Sequence, residues 1–262
     1  MTRAFRAEMV KLLRRRVVAV AALVTVLFSI GAATVVMLAA QPAGRGPVER
    51  GATLQSLAEA GGGTQVFTLG ASFTGTFLFV VFVGVVAAEF SRGTFRTLLM
   101  KQPGRLRLLA GKVAALLAFA AAVLAAAEVL TWTAAKLIAP SQDVSTVKWT
   151  TGAALVQALA DYGTVLFWVT GYAVLATALA VAIRSVPVAL AVGIAWAGPI
   201  EHLVQDAWIA ATRWFPGLLL EAFVAGGTPE VTARRAFLTV AAYVAVAAAL
   251  AGTSFARRDV TA

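Results

Sequence analysis

The chain has 262 residues, of which 60% are hydrophobic and 13% are charged, and its net charge is +10. A soluble domain is about 45–50% apolar and about 25% charged, so this composition excludes an ordinary soluble fold. The positive charge indicates membrane topology in preference to nucleic-acid binding, because Lys and Arg accumulate in the cytoplasmic loops of membrane proteins. The sequence contains no Cys, which excludes disulfides, thiolate metal sites and cysteine nucleophiles.

The first 16 residues have the pattern of an interfacial helix. Their apolar residues recur at i, i+4, i+7 and i+8, on one face: Phe5, Met9, Leu12 and Leu13. Most of the basic residues lie on the rest of the surface: Arg3, Arg6, Lys11, Arg14 and Arg15. Such a helix lies in the headgroup plane with its cations toward anionic lipid, so lipid is a predicted partner. A basic topogenic tail is the alternative interpretation.

Six apolar runs are long enough to cross the hydrocarbon core, which takes about 20 residues of helix. They cover residues 17–40, 65–88, 108–130, 160–183, 186–203 and 231–255. The first run is longer than the roughly 7–15 apolar residues of a cleavable signal peptide, so we predict that it is retained as a span. The predicted fold is an all-α polytopic membrane protein in which residues 1–262 form one transmembrane domain.

The basic residues are distributed unevenly over the predicted loops. With a cytoplasmic N-terminus, 15 of the 22 Lys and Arg fall on the cytoplasmic side, together with 3 of the 12 acidic residues. The positive-inside rule then predicts a cell-membrane protein with both termini in the cytoplasm. Residues 204–230 fall on the outer side, yet they are too apolar for a solvated loop and are divided by Pro216-Gly217. They are predicted to re-enter the membrane as short helices.

The cytoplasmic loop of residues 89–107, between the second and third spans, contains a short amphipathic segment. Phe95, Leu98 and Leu99 fall at i, i+3 and i+4 and give one small apolar face, which is surrounded by basic residues. Gly93-Thr94 offers a helix start and Pro103-Gly104 a stop. The pattern predicts a helix parallel to the membrane whose apolar face docks into a groove on a soluble protein. An ordinary positive-inside loop is the alternative.

This loop resembles the permease subunits of type-2 ABC exporters through the pattern E-x3-G-T-x-R-x2-L and the proline and lysine that follow. The matching residues are Glu89, Gly93, Thr94, Arg96, Pro103 and Lys112. In that family this segment is the coupling helix that contacts the ATPase. The pattern E-x2-K-L before the first span is similar to the family's elbow helix and is matched by Glu8, Lys11 and Leu12, with Arg14 among the basic residues that follow.

The resemblance implies the membrane subunit of an ATP-driven exporter, with two permeases, identical or related, above two separate ATPase subunits. The chain itself lacks the phosphate-binding pattern G-x4-G-K-[ST], because position 106 is Leu and Val113 follows Lys112. We therefore expect no enzymatic activity and no cofactor in this chain, with ATP and Mg bound by the partner. The sequence does not identify the cargo.

Four ionisable residues fall toward the outer ends of predicted spans: Glu128, Asp161, Glu201 and His202. Charges at depth are costly, so these residues are candidates for an outer vestibule or a proton relay, and solvated interfacial groups are the alternative. His202 is the only His, so a His-rich metal site is excluded and no metal is expected. Two other functions stay open: a secondary transporter or channel without an ATPase, and an intramembrane enzyme centred on Glu201-His202.

Overall fold

A computed structural model describes residues 2–42, 52–72, 75–101 and 104–257. This part of the chain is 86% helical and contains no β-strand beyond isolated bridges, which confirms an all-α protein. Its α-helices are, in chain order, α1 (Thr2–Leu12), α2 (Arg15–Ala39), α3 (Leu54–Leu57), α4 (Gly62–Ser72), α5 (Gly75–Ser91), α6 (Thr94–Lys101), α7 (Arg105–Ile138), α8 (Gly152–Ile183), α9 (Val186–Ala195), α10 (Glu201–Ala207), α11 (Pro216–Val224) and α12 (Ala233–Arg257).

Four helices within the described ranges are long and apolar enough to cross a membrane: α2, α7, α8 and α12. Helix α7 has 34 residues and α8 has 32, so they are about 51 and about 48 Å long. Both exceed the hydrocarbon core of about 30 Å. The predicted spans 108–130 and 160–183 are therefore parts of longer helices. Hydropathy marks only the apolar portion of such a helix, whereas backbone hydrogen bonding continues through the polar residues beside it.

The second and fifth predicted spans are each built from shorter helices. The second, residues 65–88, falls on α4 and α5, with residues 73–74 outside the described part of the chain. The fifth contains α9, a π-helical turn at Trp196–Ile200, and the start of α10. Pro199 lies in that turn, and its missing N–H explains why regular α-helix is interrupted there.

The chain divides into two compact units. The first comprises residues 1–12, 74–119 and 168–262. One of its buried apolar clusters draws on five helices and contains Ala4, Phe95, Leu108, Leu109, Val181 and Phe255. Helix α11 packs on α12 and buries three consecutive leucines, Leu218, Leu219 and Leu220, to 2% exposure or less. Covering an apolar segment with protein in this way suits the predicted re-entry of residues 204–230.

The second unit comprises residues 13–73 and 120–167. Its apolar core includes Met37, Leu57 and Trp149, the last of which is 3% exposed. The indole Nε1 of Trp149 donates a hydrogen bond of 2.8 Å to the carbonyl oxygen of Leu57. Gly63 lies against this tryptophan and Trp132, and a Cβ at that position would clash with the Trp132 ring and make a tight contact with that of Trp149. Trp149 therefore fastens the 3₁₀ turn Val147–Thr150 to the end of α3.

The hydrogen bond of Trp149 gives a stability prediction. Trp149→Phe keeps an aromatic ring but leaves the buried Leu57 carbonyl without its donor, which costs about 1–3 kcal/mol. We expect a lower midpoint of thermal unfolding, measured by calorimetry in detergent. Trp208→Phe is the control, because Trp208 is 50% exposed. Equal midpoints for the two variants would contradict the role assigned to Trp149.

Candidate functional site

A buried lysine of α7 joins two acidic residues from distant parts of the sequence. Lys112 is 6% exposed, and its Nζ donates a hydrogen bond of 2.8 Å to Oε2 of Glu8, which is 7% exposed. The same Nζ lies 3.2 Å from Oε1 of Glu89 at the end of α5. Three helices of the first unit, α1, α5 and α7, are therefore tied together through one ammonium group.

Lys11 of α1 completes this arrangement. Its Nζ lies 3.1 Å from Oε2 of Glu8 and 3.5 Å from Oε1 of Glu89. The two lysines and two glutamates, Glu8, Lys11, Glu89 and Lys112, are called the charge cluster below. Because each lysine faces both carboxylates, charge is balanced locally, as a low-dielectric environment requires.

The cluster shifts the pKa values of its two α1 members. Burial alone would raise the pKa of Glu8, but the hydrogen bonds and charges of Lys112 and Lys11 outweigh it and lower that pKa below 4.5. Burial alone would lower the pKa of Lys11, but the hydrogen bond that Lys11 donates to Glu8 and the charges of Glu89 and Glu8 raise it. Glu8 and Lys11 are both charged at neutral pH, which keeps α1 attached.

Helix α6 is anchored beside the charge cluster by Phe95. This ring is 1% exposed, and its centroid lies 4.6 Å from that of Phe90 and 5.0 Å from that of Phe255. The Nζ of Lys112 lies 5.6 Å from the ring centroid, within cation–π range. The chain reverses just before α6 at Gly93, whose φ of 64° favours glycine.

The burial of Phe95 corrects the sequence analysis, which places this residue in an exposed docking face. An apolar stripe at i, i+3 and i+4 identifies the face that is covered, and here the chain itself covers it. Leu98 and Leu99 are partly buried and pack against the same cluster of residues. Phe95 therefore fixes the position of α6 and offers no surface to a partner.

A different part of α6 is exposed. Thr97 and Met100 are exposed, Met100 to 75%, and Arg92 is exposed in the turn before the helix. These three residues are called the exposed α6 face below. Thr94 is partly buried at the start of the helix. Pro103 and the side chain of Arg96 lie outside the described part of the structure.

The residues of the predicted elbow helix lie on both sides of the end of α1. The helix ends at Leu12, which is partly buried, and Arg14 is exposed in extended backbone immediately before α2. The sequence analysis grouped Glu8 with Lys11 and Glu89 with Lys112, but did not bring the two groups together. The sequence did contain one signal that the two groups are related. Glu8 and Glu89 are two of only three acidic residues on the predicted cytoplasmic side, where each is surrounded by cations.

The four predicted vestibule residues fall in two units. In the second unit, Asp161 accepts a hydrogen bond of 2.9 Å from Nε2 of Gln157, and Glu128 belongs to the same unit. In the first unit, Glu201 is 2% exposed and accepts a hydrogen bond of 2.9 Å from the Leu218 N–H. The neighbouring His202 places Nε2 3.4 Å from Oε2 of Glu221. A common vestibule stays a prediction. No group of three or more potential metal ligands occurs within the described ranges.

The charge cluster predicts that Lys112 holds α1 in place. Lys112→Met leaves two buried carboxylates without their shared cation, and breaking such a pair costs about 3–5 kcal/mol. The chain has no native Cys, so Ala4→Cys, at a position that is 6% exposed, introduces a single reporter thiol. We expect maleimide labelling of this thiol to become at least about tenfold faster in the Lys112→Met background.

Lys148→Met is the matched control, because Lys148 pairs with Glu59 through exposed side chains. Labelling at position 4 is expected to stay slow in that background. Equal acceleration by both lysine substitutions would show that Lys112 has no special part in holding α1.

The lowered pKa of Glu8 predicts a response to acid. Stabilisation from this group is fully present above its ordinary pKa of 4.5 and is lost as the pH falls through the lowered value. A nitroxide attached to Arg3→Cys, on the exposed side of α1, should gain mobility only below pH 4.5 in electron paramagnetic resonance spectra. In Glu8→Gln this step is expected to disappear. A step of equal size in both proteins would rule out Glu8 as its origin.

Comparison with known proteins identified no relative of this chain. No protein-family model matches the chain, and no curated protein matches it. The basis for a functional proposal is therefore the charge cluster, the exposed α6 face and the membrane-spanning helices themselves.

Proposed function

We propose that this chain is the membrane-spanning permease subunit of an ATP-binding cassette exporter, which moves cargo across the cell membrane with ATP hydrolysed by a separate subunit. The observation that carries the proposal is the charge cluster. Glu8 and Lys11 belong to the elbow pattern, and Glu89 and Lys112 to the coupling pattern, about 80 to 100 residues apart. Their meeting within 3.5 Å gives a physical reason for both patterns to occur in one chain.

The contacts of α6 suit the transmission of force in this proposal. Phe95 packs between Phe90 of α5 and Phe255 of α12, and Lys112 of α7 lies over its ring. Packed interiors resist compression, so a displacement of α6 moves the ends of these helices with it. The partner would contact the exposed α6 face, where Met100 supplies an adaptable apolar side chain and Arg92 a positive charge.

The finer membrane layout belongs to the same proposal. All six predicted spans, among them residues 65–88 and 186–203, cross the membrane, with both termini in the cytoplasm. Two permease copies, identical or related, assemble with two ATPase subunits that bind ATP and Mg. The buried leucines of α11 support re-entry of residues 204–230 on the outer side, because non-spanning segments at membrane depth require protein cover.

A second candidate is a transporter driven by an ion gradient without an ATPase. One observation favours it: α9 is followed by a π-helical turn that contains Pro199, and the buried carboxyl group of Glu201 comes directly after this turn. Broken helices with ionisable groups form the ion sites of several secondary transporters. Uptake into liposomes containing only this chain, driven by a pH gradient, would select this candidate over the first.

The exporter proposal predicts an ATP-hydrolysing partner. A tagged chain purified from native membranes in mild detergent is expected to bring down an ATPase, identified by mass spectrometry and by ATP hydrolysis. Met100→Asp should lower the amount of ATPase recovered at least about tenfold, because an unpaired carboxylate buried in an interface costs several kcal/mol.

Leu137→Asp is the control, because Leu137 is 78% exposed but lies at the far end of α7 from Lys112. Its recovery of ATPase should equal that of the unmodified chain. If no ATPase is recovered with the unmodified chain, the exporter proposal is wrong. If both variants lose the ATPase equally, the exposed α6 face is not the contact site.

A further inference from the structure

A large apolar cavity lies inside the first unit, apart from the charge cluster. Its volume is about 760 Å³, within the range of small-molecule sites. Most of its wall is hydrocarbon, contributed among others by Phe79, Leu175, Leu179 and Val192. Such a lining binds a ligand whose body is apolar.

The length of the cavity matches half a bilayer. Its wall follows α8 from Tyr172 to Ala182 and α12 from Ala247 to Arg257. Ten residues of helix rise about 15 Å, which is half of the hydrocarbon thickness of about 30 Å. Both stretches lie toward the C-terminal ends of their helices, so the cavity runs from those ends to about the depth of one leaflet.

The two ends of the cavity are lined by different polar groups. At the C-terminal end of α12, polar side chains of Thr253, Ser254 and Arg257 complete the wall. Nη1 of Arg105 donates a hydrogen bond of 3.2 Å to the carbonyl of Ala256, which brings a second guanidinium to the same helix end. Guanidinium groups at the headgroup level bind phosphate oxygens well.

The opposite end is closed by Glu201. Its carboxylate accepts the Leu218 N–H and lies so close to Gly217 that a Cβ there would clash with it. The Glu201 end offers no cation to an anionic group, whereas the arginine end does, so the two ends favour one orientation for an amphipathic anion.

We propose that this cavity is a binding site for an anionic phospholipid, with the phosphate at Arg257 and one acyl chain extending toward Glu201. The lipid comes from the leaflet at the C-terminal ends of α8 and α12. The length, the apolar wall and the polarity of the cavity together select this ligand. The proposal requires only insertion in a membrane, and it holds with or without an ATPase partner.

Native mass spectrometry of the delipidated protein in detergent tests the proposal by titration with phosphatidylglycerol and phosphatidylcholine of identical chains. We expect phosphatidylglycerol to bind at least several-fold more tightly. Ala247→Trp, which fills the cavity, should weaken binding of both lipids at least about tenfold, and Ala247→Leu should do so in part. Ala248→Trp is the matched control, since the neighbouring Ala248 is exposed and does not line the cavity.

The charge at the cavity mouth is tested separately. Arg257→Gln should reduce the preference for phosphatidylglycerol to about one, whereas Arg234→Gln, at the exposed opposite end of α12, should leave it intact. Equal affinity of the unmodified protein for the two lipids would overturn the proposal. Equal effects of Ala247→Trp and Ala248→Trp, or of the two arginine substitutions, would overturn it as well.

Discussion

The sharing of Lys112 between Glu8 and Glu89 is the interaction on which the first unit depends. One ammonium group compensates carboxylates from two helices, α1 and α5, and Lys11 bridges the same two carboxylates. Buried ion pairs of this kind contribute little net stability, because desolvation opposes attraction, but loss of one partner is severe. Their value here is positional, since the four groups of the charge cluster are paired with one another only when α1, α5 and α7 lie together.

The aromatic residues build on that arrangement. Phe90, Phe95 and Phe255 lie in mutual contact beside the charge cluster. Lys112 belongs to the charge cluster and also contacts these aromatic residues, because its Nζ lies over the Phe95 ring. Charge balance and apolar packing therefore specify the same geometry. Agreement between independent interactions is what gives a sequence a single well-defined structure.

The apolar runs and their charge bias were enough to predict an all-α membrane protein, because hydropathy reports burial in lipid directly. The breaks were harder to place. Pro199 interrupts the run 186–203, which was predicted as one span, and α7 and α8 continue beyond the ends at residues 130 and 160 that were predicted for their spans. The inward direction of Phe95 also lay beyond sequence reasoning, since periodicity identifies a covered face but not what covers it. The pairing of Glu8 with Lys112 required tertiary contacts across 104 residues.

One side of α6 is buried against the rest of the chain and the other side is exposed. Phe95 is buried and holds the helix in place, whereas Thr97 and Met100 are exposed and are not needed for packing. Exchanging those two side chains alters the outer surface and leaves the aromatic contacts untouched. Under the proposed function, specificity for a soluble partner can therefore change through surface substitutions alone. Such changes would have little effect on folding.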